Sequence, residues 1–221
     1  MKSLKLSLLL FCVILVSCAN PNSENKKAIT ENSKPVVKVS ETKILVISGH
    51  PDLSKSTANR IILSDLEKHF GSKISVRRLD EMYPDYKINI EAEEKSLLNA
   101  DVVVLQFPFY WYGTPALLKK WIDDVLLGFF DGNTAGKFKG KKVIVSLTTG
   151  APQEAYEAPN QSVEAYLLPL KETFTVIGGK WLKPIFSCNY TPENQQAEEQ
   201  AHTHAQSLIK QIEKIFQEIN N

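Results

Sequence analysis

Hydrophobic and polar positions follow two different periods along the chain after residue 42. Short apolar runs rich in β-branched residues predict strands buried on both faces. Segments with apolar residues three or four positions apart predict amphipathic helices. The predicted strands are 43–48, 73–79, 101–107, 141–148 and 181–187. The predicted helices are 56–70, 90–99, 115–127, 162–175 and 192–219, and a loop with four glycines is predicted at 128–140.

Strands that alternate with helices are typical of a parallel sheet covered by helices on both faces. The crossover connections of such sheets are right-handed, which leaves few possible topologies. We predict an α/β fold, a flavodoxin-like three-layer sandwich with a five-stranded parallel sheet in the order 2-1-3-4-5. In this order, ligands bind outside the carboxyl ends of the strands, where strands 1 and 3 lie side by side.

The first 42 residues have a different composition. Two lysines precede an apolar run at 6–16, and Ser17 and Cys18 follow. A basic start, a short apolar run and a small residue before the cleavage point are features of a secretory signal peptide. A spanning helix would need ~20 apolar residues. Because 15–18 resembles the bacterial lipobox, we predict a signal peptide at 1–17, a lipidated flexible tether at 18–42 and one domain at 43–221.

This organisation predicts a protein anchored by acyl chains to a membrane of the bacterial cell envelope, with a cytoplasmic location as the alternative. The tether is polar and lacks a hydrophobic period, as expected of a segment that forms no core. The formal net charge is +1, and no basic patch is interleaved with aromatic residues, so we expect no nucleic-acid partner. Cys188 is the single cysteine beyond Cys18, which excludes an intramolecular disulfide in the mature domain.

The loop after strand 1, residues 48–59, is rich in hydroxyl and amide side chains. It lacks the glycine fingerprints of dinucleotide sites and of P-loops. Free backbone N–H groups and the positive end of the dipole attract anions to a helix start. The side chains that could add donors are those of His50, Ser56, Thr57 and Asn59. We predict a phosphate-binding turn here, with an ordinary capped helix start as the alternative.

Aromatic residues dominate the loop after strand 3. Pro108 ends that strand, and the next four residues are Phe109, Tyr110, Trp111 and Tyr112. Such rings at the carboxyl end of a parallel strand can lie against a flat ligand. In the alternative interpretation, they fill the core beneath a neighbouring loop.

The loop after strand 4 is made of small residues. It reads Thr148, Thr149, Gly150 and Ala151, where backbone N–H groups could approach a ligand closely. Because the carboxyl ends of parallel strands meet at one edge of the sheet, we expect all three loops to line one crevice.

Several motifs occur in a fixed order along the domain. They are His50-Pro51, Ser56-Thr57-Ala58-Asn59, the segment 79–90, Gln106-Phe107-Pro108 with Trp111-Tyr112, Pro115-Ala116-Leu117-Leu118-Lys119 with Trp121-Ile122-Asp123, and Thr148-Thr149-Gly150. Their order and spacing resemble those of the flavodoxin-fold NAD(P)H:quinone oxidoreductases. That family includes DT-diaphorase and the ancillary flavoproteins of bacterial potassium-efflux systems, and the segment 79–90 is closer to the bacterial group. The resemblance extends from residue 43 to the C-terminus.

The resemblance implies a non-covalent FMN (FAD in some members), NAD(P)H as co-substrate, a quinone acceptor and a homodimer. By position, His50, Ser56, Thr57, Ala58 and Asn59 would hold the phosphate. Pro108, Phe109, Tyr110 and Trp111 would lie along the isoalloxazine, and Thr148, Thr149, Gly150 and Ala151 would hydrogen-bond its pyrimidine edge. Tyr156 would take part in proton transfer. Mammalian members pair that tyrosine with a histidine, but residues 158–162 contain none.

Two classes of function remain open. In the first, the protein is an FMN-dependent NAD(P)H oxidoreductase that reduces quinones or related acceptors by hydride transfer in a ping-pong mechanism. In the second, it is an envelope-tethered flavin electron carrier that exchanges electrons with membrane quinols or a redox partner. Reduced nicotinamides belong to the cytosol, whereas a lipobox directs the domain outwards. A degenerate domain that only binds a ligand is a third possibility.

Metal chemistry is not expected. His202 and His204 lie two positions apart, which places them on different faces of a helix. The sequence contains no G-x-S-x-G, H-E-x-x-H or C-x-x-C motif, which argues against the common serine hydrolases, zinc proteases and thioredoxins.

Replacing Cys18 tests the predicted lipid anchor. A Cys18→Ala variant has no thiol to acylate, so we expect it to incorporate no labelled fatty acid and to leave the membrane fraction. Cys12→Ala, a change within the predicted signal peptide, is the control and should be labelled as the wild type is. Fatty-acid labelling of the Cys18→Ala variant, or its retention in the membrane fraction, would contradict the anchor.

Overall fold

A computed structural model describes residues 42–220 of the chain. The predicted signal peptide, the predicted lipidation site Cys18 and all of the predicted tether except Thr42 lie outside the described residues. Across 42–220, the structure contains no helix with the length and apolar character needed to span a bilayer.

Strands and helices alternate through the described residues. The strands are β1 (Ile44–Ser48), β2 (Ile74–Arg78), β3 (Val102–Pro108), β4 (Lys142–Thr148), β5 (Lys180–Trp181) and β6 (Ile185–Ser187). The helices are α1 (Thr57–Phe70), α2 (Leu79–Met82), α3 (Ile90–Leu98), α4 (Ala116–Asp131), α5 (Val163–Tyr166), α6 (Leu168–Val176) and α7 (Ala197–Asn220). Short 3₁₀ turns are formed by Leu53–Lys55, Gly71–Lys73 and Gln153–Tyr156.

The strands form one parallel sheet in the order β2-β1-β3-β4-β5, which confirms the predicted order and the flavodoxin-like fold. The fifth position is shared by two short strands, because β6 also pairs with β4. The predicted strand 181–187 is therefore divided. Pro184 lies in the gap, and its missing N–H group cannot contribute to a ladder.

Three helix boundaries differ from the prediction. Helix α4 continues through Gly128 to Asp131 and buries Phe129. Glycine suits position 128 because a Cβ there would meet Oε1 of Glu94 in α3 at 1.7 Å. The predicted helix 162–175 is two helices, α5 and α6, and Pro169 is in the first turn of the second, where proline is tolerated. Helix α7 begins at Ala197 rather than at residue 192.

Each face of the sheet covers a separate apolar core. On β3, Val103 and Leu105 belong to the core beneath α2 to α6, whereas Val102 and Val104 belong to the core beneath α1 and α7. This alternation is the period-2 pattern of a strand. Both cores consist of residues that are almost completely buried, which fixes the register of the central strands.

The α1/α7 face becomes polar where the central strands end. Ser48, Gln106 and Ser146 are in register on β1, β3 and β4, and each is fully buried. They continue the alternation of the apolar residues before them on that face. Gln106 and Ser146 are hydrogen-bonded to each other and to side chains of α1 and α7, whereas Oγ of Ser48 has no hydrogen-bond partner among the described residues.

Candidate functional site

One crevice of about 580 Å³ lies at the carboxyl edge of the sheet. All three predicted loops contribute to its walls. The predicted residues among its lining are His50, Ser56, Thr57, Ala58, Asn59, Pro108, Phe109, Tyr110, Thr148, Thr149 and Gly150. The structure thus brings together residues about a hundred positions apart in the sequence.

The start of α1 forms one end of the crevice. Ser56 is the N-cap residue, and its Oγ accepts a hydrogen bond from the Asn59 N–H at 3.1 Å. The N–H groups of Thr57 and Ala58 belong to the first turn and have no intrahelical acceptor. The positive end of the helix dipole also points to this end of the crevice. The helix start is therefore capped and still offers donors to an anion.

The Asn59 side chain joins two of the loops. Its Nδ2 donates to Oγ of Ser56 at 3.0 Å and to Oγ1 of Thr148 at 3.1 Å. Its Oδ1 accepts from Nε2 of Gln106 at 2.7 Å. The Asn59 side chain is buried, and both of its amide hydrogens are used within the protein. The hydroxyl hydrogens of Ser56 and Thr148 are not consumed by these bonds.

His50 lies beside the same helix start. Its Nδ1 accepts the Asp52 N–H at 3.1 Å, so a neutral His50 carries its hydrogen on Nε2. Burial lowers the pKa of His50, although the nearby Asp80 and Asp52 carboxylates act in the opposite direction. His50 is therefore a neutral donor at pH 7 rather than a cation.

The aromatic loop is a tight hairpin. Tyr110 and Gly113 exchange backbone hydrogen bonds of 3.2 and 2.9 Å. Trp111 and Tyr112 between them have φ values of 47° and 63°. Two successive positive φ values match the type I′ turn, where glycine and asparagine are usual and bulky residues are strained. This strained turn leaves the Trp111 side chain 95 % exposed at its tip.

The rings of this loop divide between core and crevice. Phe109 is buried, and its ring centroid is 6.1 Å from that of Tyr156. Tyr112 stacks on Tyr166 of α5 with centroids 4.8 Å apart. The core-filling interpretation therefore describes Phe109, which also lines the crevice, but not Tyr112, which is 56 % exposed. Tyr110 packs edge-on against His50 in the crevice wall.

Side-chain hydrogen bonds on the side away from the crevice stabilise the loop after β4. The buried Thr149 has its Oγ1 2.8 Å from Oη of Tyr156 and accepts the Ala151 N–H at 3.2 Å. Within residues 42–220, the N–H group of Gly150 has no hydrogen-bond partner. Tyr156 and Ala151 do not line the crevice. The Tyr156 hydroxyl is thus turned towards Thr149, not outwards to water.

A fourth segment lines the crevice and was missed by the sequence analysis. It connects β6 to α7, and its lining residues are Tyr190, Thr191, Pro192, Asn194 and Gln195. Like the other three loops, this segment follows the carboxyl end of a parallel strand. The sequence analysis missed it because a helix was predicted to begin at residue 192. Lys55 lies at the rim, where its Nζ is 2.7 Å from Oδ2 of Asp52.

His204 is buried on α7 below this segment. Its Nε2 is 2.7 Å from Oγ of Ser146, and its Nδ1 is 2.7 Å from Oγ of Ser187. Burial lowers the pKa of His204 to about 4. His202, two residues earlier, is exposed and contacts Asp65 of α1, so the predicted separation of the two histidines is confirmed.

The strand order and the crevice beside the β1/β3 switch point define the flavodoxin-like class of α/β proteins. Residues 42–212 match the family model described as having a flavodoxin-like fold, and the chain belongs to this family.

Three similar proteins carry informative names. The chain is 35 % identical over 169 residues to the glutathione-regulated potassium-efflux system ancillary protein KefF of Enterobacter sp. (strain 638), covering 75 % of this chain and 95 % of that protein. It is 36 % identical over 149 residues to the uncharacterized NAD(P)H oxidoreductase YrkL of Bacillus subtilis (strain 168), covering 66 % of this chain and 84 % of that protein. The structure of general stress protein 14 from Treponema denticola, solved in complex with FMN, superposes with a TM-score of 0.68 at 31 % identity, covering 76 % of this chain and 98 % of that one.

Acid should destabilise the fold through His204. The pKa of about 4 in the folded protein is below the 6.5 expected in the unfolded chain. Between these pH values the unfolded chain takes up a proton that the folded protein does not, so the free energy of unfolding falls as the pH drops from 6.5 towards 4. At about 1.4 kcal/mol per pH unit, this gap corresponds to about 3 kcal/mol.

Urea unfolding at several pH values measures this effect. His204→Gln should lose about 3 kcal/mol less than the wild type between pH 6.5 and 4. Thr203→Ala changes an exposed residue of the same helix that does not titrate and should keep the wild-type slope. An unchanged slope in the His204→Gln variant would contradict the assignment of a neutral buried imidazole.

Proposed function

We propose that this protein is an FMN-dependent NAD(P)H oxidoreductase that transfers two electrons to quinones or related acceptors. The observation that carries the proposal is the single crevice, in which an anion-binding helix start, an aromatic hairpin and a loop of small residues meet. The NAD(P)H oxidoreductase and the FMN-bound protein among its relatives support the same chemistry.

The residues at the α1 end suit a phosphate. The donors available there are the first-turn N–H groups of Thr57 and Ala58, the Ser56 hydroxyl and Nε2 of His50. All are neutral, as is common where backbone groups and a helix dipole bind a phosphate. The Lys55 ammonium at the rim is paired with Asp52 and would add only a screened attraction.

The residues at the other end suit a flat heteroaromatic ring. Tyr110 and the hairpin backbone would lie against its face, and Trp111 would close over it from the exposed tip. The free N–H of Gly150 would donate to the ring edge and stabilise negative charge that develops there on reduction.

The bound flavin would supply hydride acceptance and donation, and the protein would supply position and electrostatics. A nicotinamide and then a quinone would occupy the exposed side of the hairpin in turn, which would give a ping-pong sequence. The buried Thr149–Tyr156 hydroxyl pair would orient the Gly150 loop and could move a proton between Tyr156 and the ring edge. A homodimer is proposed from the family resemblance alone.

We also propose that acyl chains on Cys18 tether the domain to the cell envelope, a proposal that the sequence supports. The same feature favours a second candidate function, a tethered flavin carrier that exchanges electrons with membrane quinols. Both candidates require FMN in the crevice. They differ in the physiological electron donor.

An anaerobic spectrum tests the proposal. We expect the protein to bind FMN, NADPH or NADH to bleach the flavin band promptly, and an added quinone to restore it. Bleaching in the absence of a quinone would be the first half of a ping-pong reaction. Bleaching only by a quinol or dithionite would support the carrier instead, and failure to take up FMN would contradict both.

Trp111→Ala provides the matching variant. It removes an exposed ring at the hairpin tip, so we expect at least tenfold slower flavin reduction by NADPH with little change in thermal stability. Phe130→Ala removes another exposed ring, at the far end of α4, and should react as the wild type does. Equal rates in the two variants would contradict the placement of the ring beside Trp111.

A further inference from the structure

A continuous series of hydrogen-bonded polar side chains lies beneath the crevice, buried from Ser56 to His204 and half-buried at Ser187 and Tyr190. From one end to the other, its members are Ser56, Asn59, Gln106, Ser146, His204, Ser187 and Tyr190. We call it the buried polar chain. Both of its ends, Ser56 and Tyr190, line the crevice, whereas Ser146 at its centre and the neighbouring His204 do not.

The chain costs stability unless every bond in it is made. Asn59, Gln106, Ser146 and His204 are each at most 3 % exposed. Burying such groups without partners costs on the order of 1–3 kcal/mol each. The neighbouring positions on the same face of these strands carry valine and isoleucine. Apolar residues in this layer would carry no such cost, so stability alone does not explain why these four side chains are polar.

The hydrogens in the chain have a definite direction. Nε2 of Gln106 donates to Asn59, so its Oε1 is the acceptor and receives the hydroxyl hydrogen of Ser146. Ser146 has only one hydrogen, and its Oγ must then accept from Nε2–H of His204, 2.7 Å away. Nδ1 of His204 is left as an acceptor facing Ser187, whose single hydroxyl hydrogen can go either to this Nδ1 or to Oη of Tyr190.

This direction reaches the crevice. Because Asn59 donates both amide hydrogens to Ser56 and Thr148, these two hydroxyls keep their own hydrogens. They can then donate to a bound group. If the Asn59 amide were reversed, the two hydroxyls would donate to it instead and would present only lone pairs to a phosphate.

We infer that His204 is a positioning residue for the cofactor. As an Nε2–H imidazole it fixes the direction of the buried polar chain, so that Ser56 and Thr148 present hydroxyl hydrogens to the bound flavin nucleotide. Through Ser187, which lies 3.0 Å from Oη of Tyr190, the same ring also steadies the opposite wall. The inference rests on the proposed FMN site, and it places on α7 a residue that controls FMN binding at that site.

A positioning role for His204 and a purely structural role predict different effects on flavin binding. Loss of packing would widen or collapse the whole crevice and weaken every flavin alike. Loss of the chain's direction would act at the Ser56 end, where the phosphate is proposed to bind. It should therefore reduce the preference for FMN over riboflavin, which lacks the phosphate.

The experiment is a fluorescence titration of the flavin-free protein with FMN and with riboflavin. His204→Leu is expected to weaken FMN binding at least tenfold and riboflavin binding at most threefold. His204→Gln keeps an N–H donor near the position of Nε2 and should bind FMN within threefold of the wild type. His202→Leu, which removes the contact with Asp65 on the same helix, should bind both flavins as the wild type does.

Ser146→Ala interrupts the chain at its centre with a smaller change, so the test does not depend on whether the His204→Leu protein folds. It should show the same selective loss, and the Ser146→Ala, His204→Leu double variant should lose no more than the weaker-binding single variant. Folded variants of either residue that keep the wild-type ratio of the two dissociation constants would overturn the inference. A wild-type protein that does not bind FMN would contradict the proposed function itself.

Discussion

The hydrogen bonds of the Asn59 amide are the constraint on which the crevice depends. Asn59 connects the start of α1 to β3 and β4 through Ser56, Gln106 and Thr148. Helix α1 is otherwise held to the sheet by apolar contacts, which are tolerant of small shifts. Hydrogen bonds are directional and do not tolerate such shifts, so they fix the position and rotation of the helix start relative to the strand ends. The first-turn N–H groups of Thr57 and Ala58 are thereby placed at one defined point.

The aromatic hairpin, which forms another wall of the crevice, is stabilised in a different way. There the backbone is strained, with positive φ at Trp111 and Tyr112, and aromatic packing on Tyr166 and Phe109 holds the strained turn in place. Strain of this kind persists where the surrounding structure determines it and is often found at ligand sites. The hydrogen-bonded start of α1 and the strained aromatic hairpin both contribute to the lining of the crevice. Together they suit a ligand with a charged end and a flat end.

The parts of this arrangement that local patterns encode could be predicted. The β-branched runs located the central strands, and the rule that parallel strands end at one edge placed three loops together. From the hydrophobic period alone, 181–187 was predicted as one strand and 162–175 as one helix. The structure divides the first at Pro184 and the second next to Pro169. The low helix propensity of glycine predicted that α4 ends before Gly128, but the helix continues to Asp131 and buries Phe129 in the core.

The connections between distant segments could not be predicted. Asn59 is 47 residues from Gln106 and 89 from Thr148, and nothing in the local sequence indicates that its amide is used internally. The burial of Phe109 beside the exposed Trp111 depends on the sign of two φ angles. His204 read as an ordinary helix residue because its partners lie on β4 and β6. Side-chain roles of this kind emerge only from tertiary contacts.

A crystal structure of the protein grown with FMN tests the central claim most directly. We predict the phosphate within hydrogen-bonding distance of the Thr57 and Ala58 N–H groups and the Ser56 hydroxyl, with the ring between the Tyr110 hairpin and Gly150. Electron density for FMN at another place, such as the groove between β6 and α7 beside Cys188 and Gln200, would contradict the account.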